Sequence, residues 1–281
     1  MATVTVDGTD STDSTAPPTS LVGHERSALS WALADGLAVT WRNLIAITRI
    51  PDAMFFSSIQ PIMFILLFRY VFGGAIQTPG IRYVDYLMPG IFVQTIAFGA
   101  IGTAVGLADD MSKGLIERFR SLPMARSAVL VGRTTADLVR NVWVIILMTG
   151  VGYLVGFRVH NGFFGYLAGV GILLLFSYAV AWGFATIGLM ASSGETAQLM
   201  VFPVLMPLTF ASGAFVPVAT MPGWLQAFAR NQPVTAVVDA TRALMNGGVP
   251  TGEPVFRALA WSIGLLCVLA PIAVARYRKA V

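Results

Sequence analysis

Apolar residues in this chain are grouped in long, nearly uninterrupted blocks. A helix that crosses a membrane needs roughly 20 mostly apolar residues. Six blocks have about this length, at residues 53–72, 86–108, 138–157, 163–190, 197–216 and 258–275. The short polar string ASSGE, at 191–195, separates the fourth block from the fifth. The pattern therefore predicts an all-α integral membrane protein with six transmembrane helices.

The composition agrees with a chain that is surrounded mostly by lipid. Hydrophobic residues make up 56% of it and charged residues only 11%, whereas soluble domains carry roughly 25% charged residues. So few charges cannot cover a water-facing surface. The basic residues fall mostly between the apolar blocks, which is typical of orientation in a membrane and not of a nucleic-acid-binding patch. We therefore expect a lipid bilayer and no nucleic acid as partner.

Two regions precede the spans. Residues 1–27 are rich in Ser, Thr, Asp and Pro, and such a segment cannot bury enough apolar surface to fold, so we expect a disordered cytoplasmic tail. Residues 28–281 form the predicted permeation domain. At its start, residues 28–50 place apolar and basic side chains on different sides of one helix. This pattern predicts an amphipathic interfacial helix.

The segment between spans five and six predicts short external helices within 218–247. Pro222 and Pro233 are placed to begin two helices, because proline is well tolerated in a first helical turn. Neither helix is long enough to cross a membrane. Asp239 and Arg242 are three residues apart on the second helix, so we expect them to form a local surface ion pair.

The distribution of positive charge predicts the orientation. With the N-terminus inside, about two thirds of the 18 Lys and Arg residues fall in inner segments. An even number of spans brings the C-terminus to the same side. We therefore expect a multi-pass protein with both termini in the cytoplasm.

The predicted cytoplasmic loop at 109–126 contains a short helical pattern. Leu115, Phe119 and Leu122 share one stripe of a helix that follows Gly114 and ends at Pro123. An exposed helix of this kind can dock into a groove of a partner by its apolar face. The same loop could also serve only to supply positive charge on the inner side. The spacing leaves both interpretations open.

The sequence offers no catalytic or metal-binding set. It contains one Cys and two His, and no G-x-x-x-x-G-K-[ST] string that would cradle a nucleotide phosphate. The predicted spans also hold few ionisable groups that could relay protons or sodium ions. We therefore predict a non-catalytic membrane subunit without a cofactor, a catalytic residue or a metal site of its own, driven by a partner.

Three strings resemble the type-2 permeases of ATP-binding-cassette exporters, and most closely the daunorubicin-resistance permease family. They are GLIERFRSLPMARSAVLVGR at 114–133, SGAFVPVATMPGWLQAF at 212–228 and NQPVTAVVDATRALMNG at 231–247. The resemblance implies that the 109–126 loop is a coupling helix that docks on an ATPase subunit. The residues that it assigns to this contact are Leu115, Ile116, Glu117, Arg118, Phe119, Arg120 and Leu122.

The resemblance also implies partners and a location. It predicts an ATP-binding-cassette ATPase subunit that holds ATP and Mg, and a second permease copy that forms a homodimer or a heterodimer with this chain. It places the complex in a bacterial plasma membrane, where such exporters confer multidrug and antibiotic resistance.

The expected cargo is a hydrophobic or amphipathic compound such as a drug, an antibiotic or a lipid. A glycolipid or polysaccharide exporter is the alternative, and a secondary carrier or channel is a more distant one. No residue is assigned to the pathway, because packing or lipid contact explains the most plausible wall residues at least as well; these are Phe92, Phe98, Met206 and Phe210.

Overall fold

The computed structural model describes residues 51–113, except 77 and 79, and residues 128–280. The regular secondary structure of these residues is entirely helical. The helices are α1 Pro51–Leu66, which continues into a π-helical turn at Leu67–Phe72, α2 Tyr83–Gly99, α3 Ile101–Ser112, α4 Ala128–Val155, α5 Gly162–Gly188, α6 Gly194–Phe210, a 3-10 turn Val218–Thr220, α7 Gly223–Arg230, α8 Pro233–Asn246 and α9 Gly252–Ala280.

Some predicted segments lie outside the described residues. These are the tail at 1–27, the interfacial helix at 28–50 and residues 114–126 of the predicted coupling loop. The first five residues of the 109–126 segment are described; residues 109–112 form the last turn of α3, and Lys113 follows it.

Among the described residues, four helical segments are long and apolar enough to cross a membrane: Tyr83–Ser112, Leu130–Val155, Gly162–Gly188 and Gly252–Lys279. They confirm the second, third, fourth and sixth predicted spans. The first and fifth predicted spans correspond to α1 and α6, whose described apolar stretches are shorter; α6 has 17 residues. The count of six spans therefore stays a prediction.

The second span is broken near its middle. Ala100 separates α2 from α3, and the Thr103 amide donates to the Ala100 carbonyl, three residues back rather than the usual four, at 3.0 Å. The chain nevertheless continues as one helical segment from Tyr83 to Ser112. The prediction of a single regular span was thus correct in extent but missed the break.

The third span begins well before the predicted Leu138. Helix α4 starts at Ala128 and has 28 residues, about 42 Å at 1.5 Å per residue. Because the hydrocarbon core of a bilayer is about 30 Å thick, its first turns extend to the membrane boundary. The sequence prediction started late because the charged residues Arg133 and Asp137 interrupt the apolar run before Leu138.

Helix α5 forms the centre of the bundle and packs against α9, α8, α3 and α4. Its C-terminal Gly188 comes so close to α3 that a Cβ atom there would lie 2.5 Å from the Ala104 carbonyl oxygen. Helices α2 and α8 pack together at one end of the bundle, which we call the α8 end. The opposite end, where α3 stops just before residues 114–127, is called the loop end.

Candidate functional site

A cavity of about 390 Å³ lies within the bundle between α1, α2, α3, α4 and α6. We call it the central cavity. Its volume falls within the range of roughly 300–1,000 Å³ that is usual for sites binding small molecules. Its lining residues are Gln60, Pro61, Phe64, Gln94, Thr95, Phe98, Gly99, Ile101, Arg140, Asn141, Val144, Gln198, Phe202 and Met206.

Aromatic rings form much of the apolar wall of this cavity. The rings of Phe98 on α2 and Phe202 on α6 meet edge to face, with 6.4 Å between their centroids. Phe64 belongs to a second group of rings and stacks on Phe68 at 6.0 Å. Faces of this kind favour flat, apolar ligands over hydrated ions.

The structure divides the four candidate pathway residues into two pairs. Phe98 and Met206 line the central cavity. Phe92 is 1% exposed and packs edge to face on Phe157, at 6.4 Å between centroids. Phe210 stacks on Phe215 at 5.4 Å. Phe92 and Phe210 therefore serve helix packing, as the sequence allowed.

Two buried polar residues, Gln94 and Asn141, interrupt the apolar wall. Gln94 and Asn141 are 4% and 3% exposed. The Asn141 amide donates to the Ser177 hydroxyl of α5 at 2.6 Å. The Nε2 atom of Gln94, in contrast, is buried without a hydrogen-bond partner among the described residues. A buried amide nitrogen that lacks a partner is costly, so Gln94 is a polar group that the bundle alone does not satisfy.

Arg140 lies at the break between α2 and α3. Its Nη2 donates to the Gly99 carbonyl at 2.7 Å, and the guanidinium also pairs with Asp137 at 3.4 Å. The Thr103 hydroxyl of α3 donates to the same Asp137 carboxylate. Arg140 thus fixes α4 to the broken helix beside the cavity, and its charge is balanced there.

The cavity is open on one side. Its exposed lining residues, Gln60, Gln198 and Met206, belong to α1 and α6. The remaining lining residues, on α2, α3 and α4 and elsewhere on α1 and α6, are buried or half-buried. The opening therefore lies between α1 and α6, where a neighbouring protein surface or lipid would complete the wall.

At the loop end, the last turn of α3 is tied to both outer walls of the cavity. The Gly194 amide at the start of α6 donates to Asp109 Oδ1 at 3.1 Å. A carboxylate at a helix N-terminus is favourable because it accepts from the unsatisfied amides there. The neighbouring Asp110 pairs with Arg133 of α4 at 2.7 Å. These two contacts join the end of α3 directly to α6 and α4.

At the α8 end, Asp239 and Arg242 form the predicted ion pair, at 2.9 Å, but Arg242 is not a surface residue. Its side chain is only 12% exposed. The guanidinium lies 3.6 Å from the centroid of the Tyr86 ring and donates to the carbonyls of Tyr86 and Gly213. Arg242 therefore holds α8 against α2. The sequence spacing showed only the local partner because the others are distant in the chain.

A second cavity of about 510 Å³ lies at the α8 end, where the 3-10 turn and the end of α7 meet α8 and the start of α9. Burial raises the pKa of the Asp239 carboxyl there, more than the charges of Arg242 and Arg257 lower it. The cavity is lined by Val218, Ala219, Arg230, Asn231, Thr235, Asp239 and Arg257.

The coupling residues predicted from the sequence, 115–120 and 122, lie outside the described residues. The functional residues that sequence reasoning missed are the polar groups on the helices around the cavity. One signal for them was available: Arg133, Asp137 and Arg140 follow each other at helical spacing and so share one face of α4.

These helices and the internal cavity define a multi-pass helical membrane protein. A family model described as "ABC-2 type transporter" matches residues 36–246, which is most of the chain. The chain belongs to the ABC-2 type transporter family.

Two relatives are similar over nearly the whole chain and a third over about two thirds of it. The "Daunorubicin resistance ABC transporter permease protein DrrB1" of Streptomyces coeruleorubidus is 34% identical over 93% of this chain and 92% of its own length. The "Probable doxorubicin resistance ABC transporter permease protein DrrC" of Mycobacterium tuberculosis is 29% identical over 94% and 95%. The "Inner membrane transport permease YadH" of Escherichia coli is 24% identical over 66% and 73%. The resemblance expected from the three sequence strings is thereby confirmed.

Proposed function

We propose that this chain is the transmembrane permease subunit of an ATP-driven exporter. Its cargo is a hydrophobic or amphipathic compound such as a drug, an antibiotic or a lipid, and a separate ATPase subunit drives the export. The observation that carries the cargo class is the central cavity, because it has the volume of a small-molecule site and combines aromatic rings with polar side chains in its wall, as an amphipathic compound requires. The names of two relatives point to the same class of compound.

The proposed arrangement in the membrane has six spans, with both termini in the cytoplasm of a bacterium. The loop end then faces the cytoplasm and the α8 end faces outward. Helix α1 and its π-helical turn provide the first span and α6 the fifth. The excess of Lys and Arg on the side of the loop end supports this orientation.

The proposed coupling element is the loop that follows α3. It docks on the ATPase through Leu115, Phe119 and Leu122, with Ile116, Glu117, Arg118 and Arg120 beside them. ATP and Mg are held by the ATPase. What supports this assignment is the position of Asp109 and Asp110, immediately before the loop and in contact with α6 and α4.

The mechanism that we infer is alternating access. ATP binding closes the ATPase subunits, the loop displaces the α3 end, and the walls of the central cavity move from inward-facing to outward-facing. Cargo shifts this equilibrium only by the difference in its affinity for the two states. A second permease copy, identical or different, completes the pathway, and the opening between α1 and α6 is the side that it would close.

The alternative cargoes differ in the room that they require. A glycolipid or polysaccharide would need a longer groove with hydrogen-bonding groups along it, whereas the central cavity is compact and largely apolar. A secondary carrier or channel would move its substrate without a second polypeptide. Transport assays separate all three.

The test of the cargo site is ATP-dependent uptake of doxorubicin into inside-out vesicles that contain the permease and its ATPase. Phe202→Ala removes one ring of the Phe98 pair and is expected to raise the KM for doxorubicin about tenfold. ATP hydrolysis without drug should stay unchanged. Phe163→Ala, at a ring that is 70% exposed outside the cavity, is the matched control. Equal KM values for both variants would rule out the central cavity as the cargo site.

A further inference from the structure

The cavity at the α8 end contains two arginines that have no carboxylate partner. Of the four ion pairs among the described residues, none includes Arg230 or Arg257. Arg230 makes one side-chain hydrogen bond, from Nη2 to Gln226 at 3.0 Å. Arg257 donates to the backbone carbonyl of Arg230. Most of their N–H donors are thus left to the cavity, because a guanidinium has five.

The charge of this cavity is positive. Asp239 also lines it and is influenced by the charge of Arg257, but that carboxylate forms its ion pair with Arg242, at 2.9 Å. Arg230 and Arg257 lie close enough for one to bond the main chain of the other. Two like charges at short range repel each other unless a counter-ion is bound. The arrangement therefore favours an anion with several acceptor oxygens.

Phosphate is the anion that this arrangement fits. Guanidinium groups bind phosphate oxygens through pairs of parallel N–H···O bonds, which are stronger than bonds between neutral groups. Thr235 and Asn231 line the same cavity. The Thr235 hydroxyl accepts from the Gly213 amide and Asn231 Nδ2 donates to the Ala227 carbonyl, so each side chain has one further hydrogen to donate. The cavity, at about 510 Å³, has room for a phosphate group with a substituent.

The surroundings of the cavity point to a lipid as the source of that phosphate. Trp224 and Phe228 on α7 are 76% and 44% exposed, and Phe256, next to Arg257, is 72% exposed. Exposed aromatic rings beside basic groups are typical of the level of the lipid headgroups. Helix α9, which carries Arg257, is one of the helices long enough to cross a membrane.

We propose that this cavity binds the phosphate group of a membrane phospholipid between the guanidinium groups of Arg230 and Arg257. The site is separate from the central cavity and does not depend on the cargo. A bound headgroup there would anchor α7 and α8 to the membrane surface.

The experiment is native mass spectrometry of the full chain, purified in detergent and titrated with dioleoyl phosphatidylglycerol. Dioleoylglycerol, which has the same chains without the phosphate, is the matched lipid. The wild type should bind the phospholipid, and the double variant Arg230→Gln/Arg257→Gln should bind it at least about tenfold more weakly. Arg158→Gln, at an exposed arginine of the same end of the bundle, should bind as the wild type does.

A charge-retaining double variant, Arg230→Lys/Arg257→Lys, guards against misfolding. It should melt as the wild type does and show an intermediate loss, since lysine keeps the charge but not the two-pronged geometry. Unchanged phospholipid binding in the Gln double variant, or equally tight binding of dioleoylglycerol, would overturn the proposal. Binding of glycerol phosphate as tightly as the phospholipid would keep the phosphate site but contradict a lipid as its occupant.

Discussion

Arg133 and Arg140 lie two helical turns apart on one face of α4. Each arginine has a carboxylate partner, and each lies opposite a glycine. Asp110 pairs with the first and Asp137 with the second. A Cβ atom on Gly106 would lie 1.5 Å from Arg133 Nη2, so a larger residue there would require that guanidinium to move. Charges near the membrane interior are tolerated when they are paired in this way.

The pair of Arg133 and Asp110 is expected to stabilise the bundle. A double-mutant cycle with Arg133→Gln and Asp110→Asn should give a coupling energy of about 0.5–3 kcal/mol from thermal unfolding in detergent. The pair of Arg82 and Asp85 is the comparison, because Arg82 is 57% exposed, and should give only about 0.2–1 kcal/mol. A coupling energy near zero for the first pair would mean that α3 and α4 are not joined there.

Gly90 is expected to be essential for packing. A Cβ atom there would lie 2.0 Å from the backbone oxygen of Ala214, which cannot move aside as a side chain can. Gly90→Ala should therefore destabilise the protein by about 1–3 kcal/mol and lower its melting temperature. Gly264→Ala, where the Cβ meets nothing within 4 Å, should raise the melting temperature slightly. The same sign for both substitutions would contradict the close approach at Gly90.

Single residues show the limit of what the sequence could predict. The spacing of Asp239 and Arg242 was enough to predict their ion pair, because both lie on one helix. The contact of Arg242 with Tyr86 joins residues that are 156 positions apart, and no local pattern encodes it. The buried and unpartnered Gln94 was missed for the same reason: its surroundings come from four other helices.

The break between α2 and α3 lies beside Arg140 and the central cavity, and α3 connects it to the loop end. Arg140 bonds the Gly99 carbonyl at the break, and α3 continues from there to Asp109 and Asp110. Helix breaks that border a cavity can act as hinges, since their backbone groups are held by side chains of neighbouring helices. Helix α3 thus connects the loop end to the central cavity.

Removing the side chain that holds the break should loosen it locally. In Arg140→Gln we expect faster amide hydrogen exchange in peptides that cover residues 99–106, because the bond to the Gly99 carbonyl is lost. Peptides from α5 at 165–180 serve as the internal reference and should exchange at the wild-type rate, apart from any change at Ser177. Unchanged exchange at 99–106 would show that Arg140 does not secure the break.

Asp109 is expected to couple α3 to α6. Asp109→Ala removes the acceptor of the Gly194 amide, so motion of the α3 end should no longer reach α6. Transport should fall at least about tenfold while the ATPase still binds, a loss that corresponds to about 1.4 kcal/mol. Ser112→Ala, three residues further along the same helix, removes an exposed hydroxyl that donates to the Asp109 backbone carbonyl at 3.0 Å but leaves the Asp109 carboxylate in place, and it is the control. Equal transport by both variants would exclude this route of coupling.

At the scale of elements, most helices were predictable and some of their ends were not. The string ASSGE correctly separated two helices, since α5 ends at Gly188 and the Ser193 side chain caps α6 by accepting from the Thr196 amide. Pro233 likewise begins α8. The start of α4 was placed too late, because hydropathy counts a charged residue as an end even when a neighbouring helix neutralises it.

One helical segment, Tyr83–Ser112, connects the loop end, the central cavity and the α8 end of the molecule. Its residues contact α8 at one end, line the cavity in the middle and bind α4 and α6 at the other. Composition and hydropathy were sufficient to predict the membrane class. The cavity arises from the packing of five helices, which the sequence pattern does not specify.

The central claim is that a separate ATPase works through this permease. The measurement is ATP hydrolysis by the full chain co-expressed with the ATPase encoded nearest to its gene and purified in lipid, beside Phe119→Ala and Glu117→Ala. The account predicts that the ATPase co-purifies, and that the two substitutions weaken its binding or abolish permease-dependent hydrolysis. If no ATPase associates and neither substitution changes anything, the chain is not the driven permease described above, and a carrier or channel takes its place.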